Sequence, residues 1–144
     1  MTYAIDANVL IYAAQEDSPF YGSARAAVRR IFEEDEIVYV FWPTVMAFLR
    51  ITTLSGVLAH PLTTEEALEA VQALTALPNV RSDGEAIGFW RHYVTVTAGL
   101  SVRGKLVPDA HIVALMRQHG VSTIYTHDRD FRKFDGIRVV DPFV

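Results

Sequence analysis

The spacing of apolar positions changes several times along the chain, and each change marks an element. Tyr3-Ala4-Ile5 predicts a short strand that stops at Asp6. Ala24, Ala27, Val28, Ile31 and Phe32 recur at three- and four-residue steps and predict a helix over 21–34. Ile37 to Phe41 is β-branched and aromatic, the composition of a buried strand. Pro43 then opens a helical stretch through Val45, Met46, Phe48, Leu49 and Thr52. Thr63 followed by Glu66 forms a capping box, which starts a helix with Ala67, Leu68, Val71 and Leu74 inward and Pro78 beyond its end. Val80 marks a short strand, and 84–98 a helix around Ile87, Trp90 and Val94. Pro108-Asp109 opens a helix through Ile112, Val113, Leu115 and Met116, which His119-Gly120 closes. Strands at Ser122–Tyr125 and Ile137–Val140 complete the order.

Strands alternating with helices imply an α/β fold, a mainly parallel sheet with helices on both faces. Ligands of such sheets bind outside the carboxyl ends of the strands. Chemistry is therefore expected just after Ile5, around Asp109 and just after Tyr125. The 144 residues, with no internal repeat or linker, suit one domain that buries roughly 70% of the unfolded chain's surface. With no cysteine there is neither disulfide, thiol nucleophile nor thiolate zinc site. The longest wholly apolar run, Ile37 to Trp42, is far too short to span a membrane, and no basic segment precedes an apolar stretch at the N-terminus. A cytoplasmic protein is expected. The net charge of −4 argues against general nucleic-acid binding. That charge is uneven: residues 1–99 hold 12 acidic and 6 basic side chains, whereas 100–144 hold 5 and 7. Eleven of the 13 basic residues are Arg, whose fork suits a local phosphate site.

Carboxylates fall at all three expected places. Asp6 follows the first strand, Asp109 opens a helix, and Asp128 and Asp130 follow the Tyr125 strand. Singly, each has an ordinary use: Asp6 as an Asx-turn or helix cap, Asp109 as an N-cap, Asp128 as the start of a surface turn. Together they would repel one another and raise each other's pKa unless a cation sat between them. Hard oxygen donors without Cys point to Mg²⁺ or Mn²⁺, and the chemistry such an ion supports is metal-assisted phosphoryl hydrolysis.

These residues also resemble a family. Ala4-Ile5-Asp6-Ala7-Asn8-Val9-Leu10 is similar to the opening motif of PIN-domain nucleases. Leu106-Val107-Pro108-Asp109-Ala110-His111-Ile112 with His119-Gly120 resembles their second metal motif, Thr126-His127-Asp128-Arg129-Asp130-Phe131 their third, and Val140-Asp141-Pro142-Phe143 their usual ending. The ordered set runs from residue 3 to 143 and resembles the VapC-type toxins, the ribonuclease halves of type II toxin–antitoxin pairs. The resemblance implies a single PIN domain over 1–144, a three-layer α/β/α fold with a mainly parallel central sheet, and a Mg²⁺-dependent endoribonuclease that cuts RNA with a metal-activated water. It makes Asp6 and Asp109 the principal metal ligands and Asp128 a ligand or positioner of the attacking water. Asp130 becomes an auxiliary carboxylate, Asn8 orients Asp6, and Thr126 hydrogen-bonds within the acidic pocket. It further implies a homodimer and a VapB-type antitoxin through which alone DNA is bound. One position departs from the pattern: where the family usually has a glutamate three residues before Arg50, this chain has Ala47, and no carboxylate lies between Glu36 and Glu65. A site with one negative charge fewer favours a one-metal mechanism.

The five histidines lack zinc-ligand spacing with a partner and are expected to be structural or exposed, with His111 closest to the site. Arg29-Arg30 reads as a solvated helix face. Arg103, Lys105, Arg129, Arg132 and Lys133 flank the carboxylates, to contact RNA phosphates or to offset the acidic charge. Trp42, Phe48, Trp90 and Phe131 read as core rather than as base-stacking residues. Three other readings compete. A PIN-like RNA- or protein-binding module without efficient catalysis is motivated by Ala47. A haloacid-dehalogenase-type phosphatase would need an Asp where Asn8 stands. A receiver-type phosphoacceptor would need a Lys after the last strand, and no Lys follows residue 133.

Overall fold

The computed structural model describes residues 1–56 and 58–144. Its strands are β1 (Thr2–Ile5), β2 (Ile37–Tyr39), β3 (Val80–Arg81), β4 (Thr123–Tyr125) and β5 (Arg138–Val140). Its α-helices are α1 (Ala7–Ala13), α2 (Tyr21–Glu33), α3 (Trp42–Thr52), α4 (Thr64–Thr75), α5 (Phe89–Thr97) and α6 (Leu106–Gln118), and a 3₁₀ helix covers Arg129–Lys133. All strand pairings are parallel, in the order β3-β2-β1-β4-β5.

The pleat divides the core. Ala4, Tyr39 and Ile124 face α5, α6 and the 3₁₀ helix, where Ala110, Val113, Leu115, Met116 and Phe131 are buried. Ile5, Val38 and Tyr125 face the other way, toward Val9, Leu10, Ala27, Ile31, Val45 and Phe48 of α1–α3. The result is the expected α/β/α sandwich. Strand order places a switch point between β1 and β4: the chain builds outward from β1 to β3, then crosses to the other side of β1. Ile5 pairs with Tyr125 there, so the residues that follow, Asp6 and Thr126, leave the sheet side by side.

Several elements match their sequence signals closely. The capping box is complete, with Thr63 Oγ1 accepting from the Glu66 amide at 3.1 Å and Glu66 Oε1 accepting from the Thr63 amide at 3.0 Å. Gly120 closes α6 with φ 71°, a left-handed conformation that favours glycine. Others differ. α6 starts at Leu106, earlier than Pro108, which is tolerated in a first turn whose amides lack helical acceptors anyway. α1 escapes the pattern because Val9, Leu10 and Ile11 are all buried, so its short apolar run carries no helical period. On α4, Leu68 is exposed, while Ala67 is buried and Val71 and Leu74 pack against the core.

The largest difference is α5. Ile87, Trp90 and Val94 face outward at 104%, 69% and 51% relative exposure, and Phe89, Tyr93 and Val96 supply the inner face. Both stripes are apolar at helical spacing, so periodicity cannot choose between them. Gly88, at φ 88°, starts the helix late and sets its phase. Trp42 is likewise 45% exposed, whereas Phe48 and Phe131 are core. Among the described residues no helix is long and apolar enough to cross a membrane.

Candidate active site

Asp6 is where the sheet delivers its first carboxylate. Its amide still donates to Tyr125 O at 3.0 Å, as if β1 ran one residue further, and its backbone then turns into α1. The side chain forms no capping bond. Instead it accepts from the Thr126 hydroxyl, Oγ1 to Oδ2 at 2.8 Å. Thr126, fully buried at the end of β4, accepts in turn from the Asp128 amide at 2.9 Å. One hydroxyl thus ties the first acidic motif to the third. Asn8, expected to orient Asp6, lines the same cleft without a side-chain hydrogen bond to it among the described residues.

Asp128 does serve as a cap, with Oδ1 accepting from the Asp130 amide at 2.9 Å to start the 3₁₀ helix. Asp109 lies in the first turn of α6 but does not cap it; Lys105 is the N-cap. Asp109, Asp128 and Asp130 each bring a carboxylate oxygen to within 4.8 Å of the others. Asp130 therefore lies closer to the centre than an auxiliary role suggests, and Asp6 stands beside this group rather than within it. Lys133 Nζ lies 3.2 Å from Asp130 Oδ1, and Lys105 Nζ 3.9 Å from its Oδ2.

The crowding has electrostatic consequences. Burial, then the charges of Asp128, Asp6 and Asp130, push Asp109 up to about 7, against a smaller lowering by Lys105. Burial also raises Asp6, with Asp128 adding to it, while the Thr126 hydroxyl and the amides of Asn8 and Ala7 pull it down. Such a cluster is unfavourable without a counter-charge, and a hard divalent cation among its oxygens would relieve it.

A cleft of about 190 Å³ runs from Asp6 and Asp109 to the face of α3 that carries Thr44, Ala47 and Arg50, three residues apart. No carboxylate comes from this wall. It does carry Thr44, 2% exposed, whose hydroxyl has no hydrogen-bond partner among the described residues. Thr44 was not among the residues the motifs marked; its place one turn before Ala47, on the same helix face, is the signal that would have found it. His111 lines the cleft as well and pairs with Glu85 of the β3–α5 loop, holding that carboxyl below its usual range. No motif marked Glu85 either, because only the fold brings it to His111. All-oxygen donors, a crowded acidic centre and an orphaned buried hydroxyl on a residue lining the same cleft together fit a hydrated Mg²⁺ or Mn²⁺.

Acidic side chains gathered at the β1/β4 switch point of such a sheet are the arrangement of a PIN domain, and the PIN domain family model matches residues 3–137. The chain belongs to that family, in its VapC-type branch. It is 47% identical over 143 residues to Ribonuclease VapC48 of Mycobacterium tuberculosis, with 99% of each chain covered. It is 30% identical over 141 residues to Ribonuclease VapC37 of the same organism, covering 96% of this chain and 95% of that one. Among solved structures, Mycobacterium tuberculosis VapC20, a sarcin-ricin loop cleaving toxin, superposes with a TM-score of 0.68 at 17% identity, covering 94% of this chain and 98% of that one. VapBC2 from Rickettsia felis, bound to a fragment of promoter DNA, gives 0.69 at 12% identity, covering 97% and 98%. Both speak for the fold alone.

Proposed function

We propose that this chain, as one PIN domain over 1–144, is a Mg²⁺-dependent endoribonuclease and the toxin of a type II toxin–antitoxin module. The observation that carries the reading is the convergence of Asp6, Asp109, Asp128 and Asp130 at the β1/β4 switch point, in a chain 47% identical to a VapC ribonuclease. Asp109 and Asp128 would hold the ion with Asp6 beside them, and Asp130 brings a further carboxylate oxygen into the same group. A Mg²⁺ or Mn²⁺ bound there would supply charge neutralisation at the phosphodiester and a more acidic water. The chain's own part is positional. Thr126 fixes the Asp6 carboxylate, the 3₁₀ cap fixes Asp128, and Lys105 and Lys133 offset Asp130. Asp109 would hold the ion in its ionised form.

Trp90 and Val94 on the outer face of α5, with Ile87 exposed just before it, support a homodimer, since an exposed apolar patch of this kind is a common interface. VapB–VapC assemblies among the solved structures support an antitoxin partner, with DNA bound through it, and the proposed RNA substrate supports a cytoplasmic location. Ala47 favours one metal, and it is also the reason to keep a second reading, an RNA-binding PIN-like module with weak catalysis.

The test is cleavage of total RNA by the purified, antitoxin-free chain in Mg²⁺, Mn²⁺ and EDTA, beside Asp109→Asn protein. Discrete fragments that disappear with EDTA and with the substitution support the nuclease. Folded protein that cuts nothing with either metal overturns it in favour of the binding module.

A further inference from the structure

The 3₁₀ helix sorts its charges by period. Three residues per turn put Asp130 and Lys133 on one side, where they pair, and Arg129 and Arg132 on another. The two lysines near the site are thus taken up by Asp130. The two arginines make no ion pair or hydrogen bond among the described residues, and both line a cleft of about 410 Å³ with Thr126, His127, Asp128 and Asp141. This cleft shares Asp128 with the acidic centre but opens toward β5, away from the α3 wall. Its volume suits one nucleotide.

His127 is held rigidly in it. Its Nδ1 donates to Asp141 Oδ2 at 2.8 Å, and Asp141 Oδ1 accepts from the Phe143 amide at 2.9 Å. Phe20 and Phe143, stacked at 5.4 Å, back the imidazole with ring centroids 4.9 and 5.0 Å away. The His127 side chain is still 39% exposed. A fixed ring of this kind offers a base its face at little cost in entropy, and two unspent guanidinium forks beside it suit phosphate oxygens.

We propose that this cleft is a nucleotide subsite for single-stranded RNA, in which Arg129 and Arg132 hold the phosphate next to the one at the acidic centre and the adjoining base stacks on His127. The proposal rests on the RNA reading above and gives the strand a direction, crossing the centre from the α3 cleft toward β5.

The experiment is equilibrium binding of a fluorescent oligouridylate to Asp109→Asn protein over a range of salt concentrations. Arg129→Ala with Arg132→Ala is expected to weaken binding about tenfold and to flatten the slope of log K against log salt by about 0.7, the value for one single-strand phosphate contact. His127→Ala is expected to weaken binding several-fold and His127→Phe to restore it, while an abasic ribose-phosphate oligomer is expected to lose the dependence on residue 127. Melting of each variant reports the fold, and Mg²⁺-induced stabilisation of the same substitutions in the chain that keeps Asp109 reports the acidic centre. If the double arginine variant, melting as its parent does, keeps both affinity and slope, the subsite is overturned while the RNA reading stands. If the parent binds no oligouridylate at any salt, both fall. If His127→Phe binds no better than His127→Ala, with both folded, stacking is overturned.

Discussion

The two walls of the acidic centre are built differently. On the β4–α6 side, Asp109, Asp128 and Asp130 crowd together with Lys105 and Lys133 as counter-charges. On the α3 side the cleft presents Thr44, Ala47 and Arg50: a hydroxyl, a methyl and a cation. Asp6 stands between, tied by Thr126 to the acidic wall. A site flanked by carboxylates on both sides can share them between two ions. A site with its negative charge on one side holds one ion well, and leaves the other side to water and to the substrate's own charge. Asp109 is raised first by burial and then by Asp128, Asp6 and Asp130, and among the causes of its shift no group of the α3 wall offsets them.

If the acidic wall carries the chemistry, Asp128→Asn should lower RNA cleavage by a hundredfold or more, on the order of the loss when one group that stabilises developing charge is removed. Arg50→Ala, on the opposite wall, should change it far less. Equal losses in the two variants, measured as single-turnover rates, would erase the distinction between the walls.

The pH dependence of the metal-free protein sharpens the same contrast. Asp109 is held near 7 in the folded state and near the usual carboxylate value when unfolded. A folded-state pKa raised in this way stabilises the protein at low pH, and the contribution is lost as pH rises from about 4 toward 7. Melting in EDTA should therefore fall across that window, and Asp109→Asn should flatten the fall. Saturating Mg²⁺ should remove it in the wild type, because the ion requires the ionised form. A wild-type melting profile with no slope in that window would show that the carboxylates are not crowded in solution.

Ala47 is the place to break the asymmetry directly. Ala47→Glu adds a carboxylate to the α3 wall, facing Asp6 and Asp109 across the cleft, and should tighten Mg²⁺ or Mn²⁺ binding by about tenfold. Titration calorimetry would show whether a second ion enters. Unchanged affinity and stoichiometry would mean that position 47 does not address the ion.

Much of this arrangement could be read from residues alone, for a physical reason. Parallel sheets put ligands at strand ends, so Asp6, Asp109 and the Asp128/Asp130 pair could be placed from the order of elements before any contact was known. The capping box at Thr63 and the glycine close of α6 are local signals, and local signals survive folding. What stayed hidden depends on choices the chain makes between equals. α5 has two apolar stripes, and only packing against α6 decides which is buried. Residues 129–133 look like a turn until the 3₁₀ period separates Asp130 and Lys133 from Arg129 and Arg132. The tie between Thr126 and Asp6 spans 120 residues and exists only because β1 and β4 are neighbours.

Thr44 gives the finest test of the comparison, because its hydroxyl is buried yet unpartnered among the described residues, on the wall that lacks carboxylates. A hydroxyl in that position costs stability in the metal-free protein, and valine has nearly its shape without the polar atom. Thr44→Val should therefore melt slightly higher than wild type in EDTA, by roughly 1 kcal/mol of stability. In Mg²⁺ the order should narrow or reverse, since a hydrated ion beside Asp6 and Asp109 would give the hydroxyl a water to bind. Thr44→Ser, which keeps the hydroxyl, should follow the wild type in its response to Mg²⁺. If Thr44→Val melts lower than wild type in EDTA, the hydroxyl already has a partner without the ion, and the α3 wall is ordinary packing rather than the open half of a metal site.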